Sequence, residues 1–158
     1  NMAGDSVITD EMKAKIGLES GTSVYEIDRS AIRRWAEAIG DPNPLYRDEE
    51  YARSKGYRDI IAPPGFIAQY GFPVKHIADG NGGGHFQSPF EKSLNGGNEY
   101  EFFKPIQAGD TIMSKISLAE LRERDGRMGK MLIAISEQTF RNQDGEIVAK
   151  SRSTGISY

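Results

Sequence analysis

Hydrophobic positions change their period along this chain, and the changes mark out its elements. Thr22 to Ile27 alternates, with Val24 and Glu26 on one face and Ser23, Tyr25 and Ile27 on the other, which predicts a first strand. From Asp28 the period lengthens. Ile32, Trp35, Ala36 and Ile39 share one face of a helix, Asp28 suits its N-cap, Ile27 and Ile32 are placed as a hydrophobic staple, and Gly40 ends it. Asp10 to Leu18 predicts a short helix before this, stopped near Gly17. After it, Asp48 can cap a second short helix with Tyr51 and Ala52 facing inward and Gly56 as the stop. Ile60-Ile61-Ala62 is a short extended run. Pro63-Pro64-Gly65 then opens a third helix, since a proline at a helix start loses no bond the helix would have made. Phe66, Ile67, Tyr70, Val74 and Ile77 give that helix an apolar face, and Pro73 kinks or splits it. It is the most apolar of the helices and is expected to be the buried one.

The second half reads as strand after strand. Gly96 to Ile106, Thr111 to Arg124, Gly129 to Arg141 and Glu146 to Ser157 each alternate, and Asp125-Gly126 is a hairpin signal. Ser151, Ser153 and Thr154 make the last strand too polar for a deep core. The whole list predicts an α+β chain: one hot-dog domain, an antiparallel sheet of about five strands wrapped around a long apolar central helix. Residues 22–158 form this domain. Residues 1–21 are an N-terminal segment, with Asn1 before Met2 read as a tag remnant. Such a sheet leaves an open edge, and pairing with a second sheet removes it, so a dimer or pseudo-dimer is expected.

Composition narrows the chemistry. The 158 residues are 37% hydrophobic and 27% charged, with a formal net charge of −3 and cations spread along the chain, which argues against nucleic acid or an anionic membrane as a partner. There is no cysteine, so thiolate catalysis, disulfides and cysteine metal sites are excluded. The two histidines, His76 and His85, are far apart with no third ligand in view, so no metal site is expected. No apolar run reaches the roughly 20 residues of a spanning helix, and a cytoplasmic location is the default. The run Asn81-Gly82-Gly83-Gly84-His85 reads as flexible, either a gate or an unstructured loop, and not as a phosphate-binding loop.

Candidate chemistry concentrates in Gly40-Asp41-Pro42-Asn43-Pro44-Leu45-Tyr46. A carboxylate, a carboxamide and a phenol fall within a corner stiffened by two prolines, each of which forces the residue before it out of the helical region. The spacing equally suits a plain helix–loop–helix turn. The start of the third helix, at Gly65, offers backbone N–H groups to an oxyanion or thioester carbonyl, or is an ordinary helix start.

Four stretches together resemble the MaoC-like dehydratase/hydratase family, in its N-terminal dehydratase-type branch: Ala36 to Tyr46 (AEAIGDPNPLY), Asp48 to Ala52 (DEEYA), Ile61 to Phe66 (IAPPGF) and Phe103 to Asp110 (FKPIQAGD). The resemblance implies syn hydration of a trans-2-enoyl thioester, or the reverse dehydration of a (3R)-hydroxyacyl thioester. It calls for no cofactor beyond the coenzyme A or acyl carrier protein that bears the acyl group. It implies catalytic roles for Asp41, Gly65 and the position of Tyr46, with Asn43, Pro64 and Phe66 at the substrate. The family has histidine where this chain has Tyr46. Histidine titrates near neutrality, whereas an ordinary tyrosine titrates near pH 10 and is a poor base. The chain is therefore expected to be a subunit relying on a His-bearing partner, as a homodimer or a heterodimer with a related MaoC-like chain. Alternatives are a self-sufficient hydro-lyase using Asp41, a non-catalytic acyl-thioester binding or scaffold protein, and a hot-dog thioesterase. An acyl tunnel beside Tyr25, Phe66 and Tyr70 is expected.

Overall fold

The computed structural model describes residues 6–68, 74–127 and 129–158. Its strands are β1 (Thr22–Glu26), β2 (Lys75–Ile77), β3 (Ser93–Phe102), β4 (Thr111–Gly126), β5 (Gly129–Arg141) and β6 (Ile147–Ser157). They form one antiparallel sheet in the order β2-β1-β4-β5-β6-β3, so the described sheet has six strands, against the five or so expected. The helices α1 (Asp10–Ala14), α2 (Arg29–Ala38) and α3 (Glu49–Ser54) start where the capping residues place them. Asp28 Oδ1 accepts the Ala31 N–H at 2.8 Å and Asp48 Oδ1 accepts the Tyr51 N–H at 3.0 Å. This is the hot-dog arrangement in its α+β form.

The core lies between the sheet and the connection from β1 to Ala68. Ile32 and Ala36 of α2, Ala52 of α3, Ile60 and Phe66 pack with Ile112, Phe140 and Ala149 of the sheet. Ile39 and Tyr51 were expected to face inward but are exposed, Ile39 because α2 ends at Ala38 and leaves it at the C-cap. Residues 16–20 hydrogen-bond along β4, with Gly17 N–H to Leu118 O and Ser20 N–H to Ile116 O. Residues 16–20 thus extend the same sheet.

The third helix takes a different form from the one expected. Phe66–Ala68 is a 3₁₀ turn, and Lys75–Ile77 is a strand paired with β1, Thr22 opposite Ile77. Tyr70 and Pro73 lie outside the described residues. A helix carried through residue 73 would lack the N–H that proline cannot supply, whereas the free side of β1 offers Lys75–Ile77 a complete ladder. The longest described helix is α2. The last strand also differs from expectation. β6 lies between β5 and β3, with Val148, Ala149 and Ser151 all buried, because pairing on both sides matters more than the few hydroxyls it carries.

The glycine-rich stretch is a strap on the N-terminal extension. Asn81 and Gly83 N–H groups both donate to Glu19 O, Asn81 Oδ1 accepts the Glu19 N–H at 2.7 Å, and Asp79 accepts from both the N–H and the hydroxyl of Thr22. A Cβ on Gly80 would lie 2.4 Å from Gly21 N, and one on Gly83 only 1.8 Å from Leu18 O. Glycine is needed here for close backbone approach, so the flexible reading is replaced by a packed one. Among the described residues no helix is long and apolar enough to cross a membrane.

Candidate functional site

The proline corner is a chain of side-chain-capped turns. Asp41 N–H donates to Ala36 O at 2.9 Å as α2 ends. Asp41 Oδ1 accepts the Asn43 N–H at 3.0 Å, and Asn43 Oδ1 accepts the Leu45 N–H at 3.0 Å, which caps a 3₁₀ turn at Pro44–Tyr46. Pro42 and Pro44 bring no N–H of their own to satisfy, so these two short side chains cover the donors that remain. From outside, the Arg47 guanidinium donates to Asp41 O at 3.0 Å and Arg33 Nε donates to Arg47 O at 3.1 Å. The corner is held by one side-chain oxygen each of Asp41 and Asn43.

Tyr46 leaves the corner pointing inward, 8% exposed. Burial pushes its phenol above the ordinary tyrosine range, and the nearby Asp41 charge pushes it further, while a hydrogen bond from the Asn43 side chain acts the other way. The three polar groups singled out in the sequence therefore do meet. Burial and Asp41 favour the protonated phenol and Asn43 opposes them, with the net shift upward. Tyr46 can donate or accept a hydrogen bond there, but it does not supply a base.

Beside Tyr46 opens an apolar pocket of about 290 Å³. One wall is Tyr46, Ile61, Pro63, Pro64 and Phe66, and the other is the run Phe102 to Ile106. Of the predicted site residues, Tyr46, Pro64 and Phe66 line it, and Asp41, Asn43 and Gly65 do not. Gly65 sits between two lining residues at φ +90°, a conformation that a side chain disfavours, although a Cβ there would meet nothing within 4 Å. Among the described residues its N–H finds no acceptor. The Gly65 N–H stands at the start of the 3₁₀ turn Phe66–Ala68. Tyr25 packs against Phe140, ring centroids 6.3 Å apart, and is not in the pocket wall; Tyr70 is outside the described residues. The wall from Phe102 to Ile106 was absent from the expected site. Its signal was present, since Phe103 to Asp110 is one of the four stretches that carried the family resemblance.

His76 and His85 are exposed, and His76 Nδ1 lies 3.2 Å from Ser23 Oγ on the neighbouring strand. Among the described residues no three His, Cys, Asp or Glu side chains gather as a metal site would require.

Fold and pocket together define a hot-dog domain with an apolar, tyrosine-bearing pocket under a rigid Asx-Pro corner. A family model described as "FAS1-like, dehydratase domain region" matches residues 14–151. The chain belongs to that family, and in fold it is similar to a MaoC-like dehydratase of Rhodospirillum rubrum, with a TM-score of 0.65, 20% identity and coverage of 90% and 92%. A UPF0336 protein of Thermobifida fusca is 36% identical over 115 residues, covering 72% of each chain. A protein of Thermomonospora curvata named "Probable enoyl-CoA hydratase alpha subunit" is 28% identical over 132 residues, covering 77% of this chain and 41% of that one. In fold, the chain is similar to the structure of the C-terminally truncated HadBC (3R-hydroxyacyl-ACP dehydratase) complex of Mycobacterium tuberculosis, with a TM-score of 0.65, 21% identity and coverage of 90% and 99%.

Proposed function

We propose that this chain is one subunit of an acyl-thioester hydratase/dehydratase whose general base comes from a second, His-bearing MaoC-like subunit. The reaction adds water across a trans-2-enoyl thioester of coenzyme A or acyl carrier protein: hydroxyl to the β-carbon, proton to the α-carbon, giving the (3R)-hydroxyacyl thioester, or the reverse. The observation that carries this reading is Tyr46, a buried phenol with a raised pKa, at the position where the family it resembles has histidine. Pro64 and Phe66 shape the acyl pocket, the Gly65 N–H faces the thioester oxygen, and Asp41 and Asn43 fix the corner and the phenol. The hydratase name of one relative and the two-component nature of the HadBC complex support it. So does β3, an edge strand whose ten residues are all exposed, Leu94, Tyr100 and Phe102 among them, as expected of a strand that pairs with another sheet. We place the assembly in the cytoplasm.

The test is loss of enoyl absorbance with trans-2-enoyl-CoA substrates, on the chain alone, on Tyr46→His and on the chain co-purified with an adjacently encoded MaoC-like protein. The expected outcome is little turnover alone and turnover in the mixed complex. Tyr46→His is expected to raise the rate of the lone chain, because a positioned general base contributes about 10²–10⁴-fold. Turnover by the unmodified chain alone, lost on Asp41→Asn, would instead make Asp41 sufficient. A second reading, an acyl-thioester binding protein without catalysis, is favoured by one specific observation: Asp41 and Asn43 are already engaged in the turns of the corner. Saturable acyl-CoA binding with no turnover in any pairing would decide for it.

A further inference from the structure

The free side of β3 offers only a short length of ladder. Among the described strands β3 lies outermost and pairs with β6 alone, and all ten of its residues are exposed. Its register with β6 shifts between Asn95 and Gly97, where Asn95 Oδ1 accepts the Gly97 N–H at 2.9 Å and Gly97 takes φ +143°. A bulge bends the strand and interrupts its ladder, so a second strand laid along the free side pairs without a break over residues 98–102. Side chains alternate there. Tyr100 and Phe102 stand opposite Ser151 and Ala149, on the face that also carries the buried Phe140, and their rings stack with centroids 6.2 Å apart. Glu99 and Glu101 stand opposite Arg152 and Lys150 on the other face. Arg152 turns away from the edge to Glu137 and Glu120, and among the described residues neither Glu99 nor Glu101 forms an ion pair.

Two-fold symmetry makes this pattern selective. Two copies of one edge strand pair antiparallel about an axis, with the same residues facing each other twice. An axis at Tyr100, the middle of residues 98–102, sets Glu99 of each copy opposite Glu101 of the other. An axis at Glu99 or Glu101 sets that carboxylate opposite its own copy, and one at Asn98 leaves the two Glu99 side chains diagonal. Like charges directly opposite on one face of a sheet destabilise the pairing, and opposite charges favour it. Resting on the subunit reading above, we propose that Glu99 and Glu101 make β3 a selective edge. They oppose pairing with a second copy of this chain and admit a strand of a different subunit that presents lysine or arginine at the two facing positions and apolar side chains against Tyr100 and Phe102. On its other side β3 already has such a neighbour, since β6 sets Arg152 and Lys150 opposite the two glutamates.

The experiment is sedimentation velocity at low salt on the full chain, alone and mixed with charge-altered copies of itself. The unmodified chain is expected to stay monomeric at concentrations where Glu99→Gln/Glu101→Gln self-associates, its dimer about tenfold tighter once two like-charged pairs are gone. A copy carrying Glu99→Lys/Glu101→Lys stands in for the cationic partner. It is expected to pair with the unmodified chain about tenfold or more tightly than either pairs with itself, and added salt is expected to narrow that gap, since the screening length is already down to about 10 Å at 0.1 M. Both glutamates are exposed, so the fold is expected to tolerate these changes. A control copy, Glu37→Lys/Glu50→Lys, makes the same change of charge at exposed positions on α2 and α3 and is expected to gain no such pairing. A stable dimer of the unmodified chain that Glu99→Gln/Glu101→Gln leaves unchanged, a glutamine variant as monomeric as its parent, or a lysine copy that pairs no better than the control would each overturn the proposal. No substrate and no second kind of subunit enters this experiment, so such a result overturns the charge rule alone, whereas turnover by the lone unmodified chain overturns the subunit reading.

Discussion

The two walls of the pocket are built differently. The wall from Tyr46 to Phe66 is braced throughout. Phe66 is 1% exposed and meets the Trp35 ring edge-on at 6.4 Å, while Arg29 grips the buried Asp59 through Nε and Nη2. Behind it, Glu49 of α3 is shared by Arg29, Arg33 and Arg53. The opposite wall leans on the end of β3, where Phe102 is 43% and Phe103 48% exposed. The chain completes the first wall with its own core and ion pairs, and leaves the second with large aromatic surface in solvent. The difference indicates where rigidity was needed in the lone chain and where a second surface remains to be added.

Substitutions can test that contrast. Phe66→Ala empties a fully buried position of the braced wall and is expected to destabilise the chain by about 3–4 kcal/mol, read from a denaturant midpoint. Arg29→Ala removes the partner of Asp59. The Asp59 carboxyl lies below the ordinary range, chiefly through its hydrogen bonds from Arg29, with burial opposing. A depressed carboxyl stabilises the fold above its unfolded pKa and loses that contribution as pH falls through its folded value. Arg29→Ala is therefore expected to destabilise the chain at pH 7, and the gap to the unmodified chain is expected to close as pH drops through and below the usual carboxylate range. A gap that stays constant with pH would remove Asp59 from the account of the brace. Phe103→Ser on the open wall is expected to change the stability of the isolated chain by less than about 0.5 kcal/mol while weakening assembly with a second hot-dog subunit, measured by analytical ultracentrifugation of the mixture. A large loss of stability in the lone chain would mean that this wall is as self-supporting as the other.

Local signals in the sequence determined most of the elements. Asp28 and Asp48 cap the helices they were expected to cap, Gly129 to Arg141 is a strand over its whole predicted length, and Ile32 and Ala36 are fully buried. These features depend on neighbours a few residues away, so period and capping chemistry suffice to read them. The corner from Gly40 to Tyr46 was legible for the same reason, its Asp41–Asn43 and Asn43–Leu45 bonds each spanning two residues. Only the tertiary structure decided the rest. Pro63 to Ile77 has a helical pattern of apolar residues, yet Lys75–Ile77 pairs with a strand some fifty positions earlier, and no local signal announces a free ladder that far away. The glycines at 80 and 83 read as flexible until the backbone of residues 18–21 is placed against them. Phe102 to Ile106 became a pocket wall because the sheet order puts β3 at an edge, where its end stands opposite Pro63, Pro64 and Phe66. Contacts between distant segments depend on how the sheet is ordered, and that ordering is a property of the packed chain and not of any single stretch of it.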